Sequence, residues 1–214
     1  NPTTATTPMP TETPSPADRP LVDCHVHIFR RNMPLVPDPR HSPDYEFTAE
    51  QLQATLDQHG VQMCVIAAAS PWGDCNDYVI DTLRTRPRWR GTVILDPART
   101  DRYQLEQMAR DGIVGVRLPF ISLRALPDLD SWDWRKFLYR LAELDWHVHL
   151  HLDGPRIPQV LPALERSGVK IVIDRLTKRS SGYRIVQISD VHVGPPIGRE
   201  FVESIVARVN ALQP

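Results

Sequence analysis

Short apolar runs alternate with amphipathic stretches along most of this chain, the pattern of strands followed by helices. Leu21 to Phe29 reads as a short buried first strand, apolar except at Asp23, His25 and His27. Thr48 caps a helix running to about His59, with Gln51 at the capping-box position and Gly60 as its stop. Val61 to Ala68 reads as a second strand, Asp77 to Arg84 as a helix, and Gly91 to Leu95 as a third strand. Tyr103 to Arg110 is helical and ends at Gly112, and Ile113 to Leu118 is a fourth strand. In Trp132 to Leu144, residues Trp134, Phe137, Leu138, Leu141 and Leu144 fall on one helical face. Trp146 to Leu152 is a fifth strand, Ile157 to Ser167 a helix, and Val169 to Asp174 a sixth strand.

Repeated β-α units with short connections predict an α/β fold with a parallel sheet and outer helices. The long loops after the first and fourth strands favour an incomplete TIM-type (β/α) barrel over an open doubly wound sheet. No glycine-rich phosphate loop supports a nucleotide fold.

The two ends differ from this pattern. Asn1 to Pro20 is almost all Pro, Thr, Ser and Ala and predicts a disordered leader. The barrel region is 21–176, and 177–183 is polar and basic and reads as a linker. The remainder, 184–214, reads as one further β-α unit: a strand from Tyr183 to Ser189, then Asp190-Val191-His192, then a helix from about Arg199 to Leu212.

Composition narrows the function classes. With 214 residues and 41% hydrophobic content, the chain can bury the core of one medium domain. A net charge of -1 predicts no nucleic-acid or membrane partner. No apolar run approaches the roughly 20 residues of a membrane span, and the N-terminus lacks signal-peptide character. The three cysteines form no C-x-x-C and leave one unpaired, which fits a reduced, cytoplasmic setting.

The candidate chemistry lies in two strands. Asp23, His25 and His27 alternate, so they share one strand face. Buried polar groups must be satisfied, and an H-x-H pair presents two imidazoles to one point, suited to a metal ion or a polarised carbonyl. The alternative is a pair of core histidines bonded to backbone carbonyls. The fifth strand carries His147, His149 and His151 on one face. In a barrel both faces point inward, towards the mouth at the C-terminal strand ends. His151 is nearest that mouth, His149 is next, and His147 at the strand start reads as structural. Arg117 ends the fourth strand and Arg124 follows in the loop. A guanidinium there is a ready carboxylate clamp, the alternative being a salt bridge to a loop acid. Tyr45 and His41, in the Arg30–Phe47 loop, are within reach of the same mouth.

D-C-H-V-H-I-F, S-P-W-G-D-C-N-D, G-V-G-V-R-L, W-H-V-H-L-H-L-D-G and V-K-I-V-I-D stand in an order that resembles amidohydrolase-related TIM-barrel hydrolases. The likeness is nearest to 2-pyrone-4,6-dicarboxylate lactonases and spans about Pro20 to Leu176. The resemblance implies hydrolysis of a lactone or amide in a small carboxylate-bearing substrate. It assigns His25, His27 and His151 to catalysis and Tyr45, Arg117 and Arg124 to substrate binding. In metal-using relatives His25, His27 and His151 would hold one divalent ion, zinc or manganese, which lowers the pKa of a bound water. The lactonase branch uses its histidines to polarise the carbonyl without a required metal. Two departures stand out: Asp174-Arg175-Leu176-Thr177 replaces the family's Asp-His pattern, and no eighth strand with its aspartate follows.

Tyr183-Arg-Ile-Val-Gln-Ile-Ser-Asp-Val-His-Val-Gly194 resembles the opening β-α unit of calcineurin-like metallophosphoesterases. That resemblance makes Asp190 and His192 metal ligands and phosphate-ester hydrolysis the alternative activity. The chain thus reads as the front of one hydrolase joined to the opening of another near Leu176 to Ser181. An incomplete barrel leaves two strand edges, which favours self-association or an inactive chain.

Overall fold

Strand and helix alternate in the order that the apolar pattern predicts. The structure is a computed structural model that describes residues 21–173. The leader, the linker, the strand from Tyr183, the last helix, and the metal candidates Asp190 and His192 lie outside the described residues. The elements are β1 (Val22–Val26), α1 (Ala49–Gln58), β2 (Met63–Ile66), α2 (Asp77–Thr85), β3 (Trp89–Val93) and α3 (Arg102–Arg110). They continue with β4 (Ile113–Leu118), α4 (Trp132–Glu143), β5 (His147–Leu150), α5 (Ile157–Ser167) and β6 (Lys170–Ile173). The six strands are parallel and pair in sequence order, β1-β2-β3-β4-β5-β6. They form a curled half-barrel with the helices outside, an incomplete TIM-type architecture.

The core lies between sheet and helices. Ile66, Val93, Val116, Val148 and Leu150 from the strands meet Leu52, Leu83, Leu105, Phe137, Leu141 and Leu164 from the helices in one cluster. Each large side chain buried there contributes about 1.5–3 kcal/mol. Because side chains alternate along a strand, the same registers turn Gly115, Arg117, His147 and His149 to the inner face. Two helix starts are fixed by reciprocal capping boxes, Thr48 with Gln51 and Asp101 with Gln104. Gly60, at φ +66°, makes the left-handed turn that ends α1. Among the described residues, no helix is long and apolar enough to cross a membrane.

Three expectations change. First, β1 is not a buried strand: it ends the described sheet, and Leu21 and Val22 are 55% and 39% exposed. Second, a one-residue bulge between Asp23 and Val26 breaks its alternation. Asp23 pairs in register with Cys64, a residue of the helix-side core, so it does not share the face of His25 and His27. Third, β3 starts at Trp89 and not at Gly91. Trp89 is buried in the core, while the side-chain amide of Asn76 takes both backbone groups of Ile94 and closes the ladder there. The loops after β2, β4 and β5 also contain short 3-10 turns at Ser70–Trp72, Phe120–Ser122 and Gly154–Arg156.

Candidate active site

The C-terminal ends of β1, β2, β4 and β5 bring four histidines and one arginine together on the inner face. His25 Nε2 and His27 Nε2 stand 3.3 Å apart. The His25 ring meets His27 edge-on at 4.9 Å between centroids and His149 edge-on at 5.0 Å. His149 is 4% exposed and lies in register with Arg117, which is 5% exposed. Arg117 Nη1 donates to Ala68 O at 2.9 Å, and its Nη2 lies 3.4 Å from His151 Nδ1.

Hydrogen-bond partners set the tautomers. His27 Nδ1 lies 2.7 Å from Ala67 O. A carbonyl oxygen only accepts, so the proton of neutral His27 sits on Nδ1 and Nε2 keeps its lone pair. His25 Nε2 then donates to that lone pair. A guanidinium only donates, so His151 Nδ1 accepts from Arg117 and the His151 proton sits on Nε2. The pair therefore sets one N–H against one lone pair, and a substrate entering between them can take over either partner; His151 places a second N–H beside the guanidinium.

The backbone after β2 anchors the site. Ala67 N donates to Val26 O at 2.8 Å, and Ala68 N donates to Thr92 Oγ1 at 3.0 Å. One dipeptide thus holds β1, His27, Arg117 and β3. Nothing in the sequence pattern marks Ala67 and Ala68. Thr92 and Asn76 left a trace: one is a polar residue inside an apolar strand, the other an Asn at a helix N-cap. Asn76 makes no capping bond and turns its amide to Ile94 instead.

Of the two fifth-strand histidines nearest the mouth, His149 meets His25 edge-on and His151 lies against Arg117. His147 lies lower in the sheet with its ring over Gly115, where a β-carbon would come within 2.7 Å of His147 Cε1. Burial pushes the His147 pKa below the ordinary imidazole value. His149 and Lys170 lower it further, against a hydrogen bond with the Val114 backbone. Tyr45, 50% exposed, packs edge-on against Phe29, which stacks on Trp72. Phe29 and Phe47 exchange backbone hydrogen bonds at 2.9 and 3.1 Å, so the long loop is pinned at both ends near the β1 terminus. Arg124 and His41 are exposed in their loops.

A tetrahedral zinc with imidazole nitrogens about 2.0–2.1 Å away places two such nitrogens about 3.3–3.4 Å apart. The His25–His27 separation matches one edge of that figure. Among the described residues, no group of three His, Cys, Asp or Glu side chains converges as a metal site.

A family model for amidohydrolases matches residues 22–175. The chain belongs to the amidohydrolase family. Among curated proteins it is 25% identical to 2-pyrone-4,6-dicarboxylate hydrolase of Comamonas testosteroni over 158 residues, 72% of this chain and 51% of that protein. Among solved structures it is similar to a probable 2-pyrone-4,6-dicarboxylic acid hydrolase of Acinetobacter baumannii with citric acid bound. The identity is 32% and the TM-score 0.69, covering 73% of this chain and 58% of that one. A Pseudomonas putida structure with the same assignment gives 36% identity and a TM-score of 0.65, over 72% of this chain and 56% of that one. The chain spans about half the length of the curated amidohydrolase that it matches. A stretch of 46 residues is 41% identical to a transmembrane protein with a metallophosphoesterase domain from Danio rerio, over 22% of this chain and 10% of that protein.

Proposed function

We propose that this amidohydrolase hydrolyses a lactone ring in a small carboxylate-bearing molecule, of the 2-pyrone-4,6-dicarboxylate type. The observation that carries the reading is the 3.3 Å imidazole pair set beside a buried guanidinium on one inner face. His25 and His27 are the catalytic pair. His25 Nε2–H donates to the carbonyl oxygen as it becomes an oxyanion. As His25 Nε2–H turns to the carbonyl oxygen, His27 Nε2 takes the proton of the attacking water. Water oxygen bonds to the carbonyl carbon, the bond to the ring oxygen breaks, that oxygen takes the proton held by His27, and the new carboxyl releases its own proton to solvent. The products are an opened chain and a new carboxylate.

Arg117 takes the substrate carboxylate in its fork, and His151 Nε2–H donates beside it. Tyr45 and Arg124 belong to the loops that would close over this mouth. The spacing of the pair also fits a divalent ion: with the His25 proton moved to Nδ1, His25 and His27 would hold it through Nε2, and it would lower the pKa of a bound water. The family's substrates and the inner-face geometry support this reading over phosphate-ester hydrolysis, whose candidate ligands lie outside the described residues.

The deciding assay follows ring opening of 2-pyrone-4,6-dicarboxylate by loss of pyrone absorbance, with chelator and with added zinc or manganese. We expect turnover in the native chain and none in His25→Ala/His27→Ala. Equal turnover in the double variant rejects the assignment.

A further inference from the structure

Ala67 C=O and Ala68 N–H are the two ends of one peptide group, which is planar and rigid. His27 Nδ1 donates to its oxygen at 2.7 Å, and Thr92 Oγ1 accepts from its nitrogen at 3.0 Å. All of this backbone is buried: Ala67, Ala68 and Thr92 are 2%, 4% and 1% exposed. The β2–β3 ladder ends at Ile66 and Gly91, and β3 shifts register against β4 between Gly91 and Thr92. Beyond that point a side-chain hydroxyl, not a strand carbonyl, receives the Ala68 amide.

We infer that Thr92 is a positioning residue for His27, acting through the Ala67–Ala68 peptide group. The hydroxyl fixes the plane of the peptide, and the peptide aims its carbonyl at His27 Nδ1. That contact holds the proton on Nδ1 and points the Nε2 lone pair at His25. Hydrogen bonds in such a chain polarise one another, so an acceptor at the amide end makes the carbonyl a better acceptor at the other. The carbonyl of the next peptide, Ala68 O, receives Arg117 Nη1, so the same pin also limits how far the guanidinium can shift relative to the imidazole pair. Valine has the shape of threonine without the acceptor, and it leaves the buried Ala68 N–H unsatisfied. Serine keeps the acceptor.

The inference rests on the proposed role of His27 for its effect on turnover, but its structural content can be tested without any substrate. The full chain is labelled with ¹⁵N-histidine, and His27 is assigned by comparison with His27→Gln. At a pH where the histidines are neutral, native protein is expected to show His27 as a single tautomer with the proton on Nδ1. Thr92→Ser retains that signature. Thr92→Val loses it, giving tautomers in exchange. Thr92→Ala is read the same way and replaces Thr92→Val if the latter shows no cooperative melt. An unchanged Nδ1-protonated signature in a folded Thr92→Val or Thr92→Ala overturns the inference, as does its loss in Thr92→Ser. For metal-ligating histidines, loss of an orienting partner costs about 10–100-fold in affinity or activity, and His27 is expected to respond on the same scale. In the lactone assay, Thr92→Val should therefore lower kcat by that factor with KM little changed, and serine should restore it. Absence of turnover in the native chain rejects the lactonase reading alone, and the tautomer experiment still decides on Thr92.

Discussion

Gly115 lies opposite His147 on the paired strands β4 and β5, so close that a β-carbon on Gly115 would stand 2.5 Å from His147 O. The obstacle includes backbone, so a larger residue cannot be absorbed by a rotamer change. Gly115→Ala is expected to destabilise the chain by about 1–3 kcal/mol, the usual range for overpacking. Equilibrium denaturation in urea checks this, and a midpoint equal to that of the native chain refutes it. Arg117 sits two residues along the same strand, so the variant should also weaken carboxylate binding.

Arg117 itself is expected to act mainly on binding. A hydrogen bond to a charged group is worth roughly 1.5–3 kcal/mol. Arg117→Ala should therefore raise KM for a dicarboxylate lactone about 10–150-fold, with a smaller effect on kcat. Arg117→Lys keeps the charge but loses the fork and should recover only part of the loss. Steady-state kinetics on lactones with and without the carboxylate separates the effects. An equal KM change on both substrates would remove the clamp role.

His147 links stability to pH. Its pKa is lowered in the folded chain, chiefly by burial. Unfolded histidine binds a proton near the ordinary value of about 6.5. As pH falls below that value, the unfolded chain takes up protons that folded His147 resists, and stability declines. Its contribution is complete above about pH 6.5 and is lost as pH drops through the lowered folded value. Thermal melts between about pH 7.5 and 5 should show Tm falling, with a shallower fall in His147→Asn. Identical slopes would show that other groups carry the dependence.

The three thiols should differ sharply in reactivity. Burial, with Asp23 adding, pushes the Cys64 thiol up to about 12. Cys75 is half-buried, and burial together with Asp77 and Asp74 raises its pKa. Cys24 is exposed on β1. The thiolate is the reactive form, so an aromatic disulfide reagent should label Cys24 first, Cys75 slowly, and Cys64 only on unfolding. Cys24→Ser should remove the fast phase, and a fast phase that survives it contradicts this order.

Much of the fold was legible because its signals are local. Among the described residues, the period of the apolar pattern places each helix and strand within a few residues. Thr48 with Gln51 and the turn at Gly60 mark the ends of α1 without reference to the rest of the chain. The end of β3 has a long-range cause: Asn76, from the start of α2, takes the backbone of Ile94 and stops the strand at Val93 instead of Leu95. The polar row Asp23, His25, His27 misled for a similar reason, since strict alternation fails where a bulge inserts one residue.

The sequence by itself determined the α/β class, the order of the elements, and the residue types available for chemistry. Those follow from side-chain polarity and spacing over a few turns or strand residues. The tertiary structure decided which histidine meets which. It set His149 against His25, joined His151 to Arg117, and gave His27 its tautomer through Ala67. The physical reason is that such contacts depend on strand register and sheet curl, which arise from pairing between segments distant in the chain. A shift of one residue in that pairing turns a side chain to the opposite face.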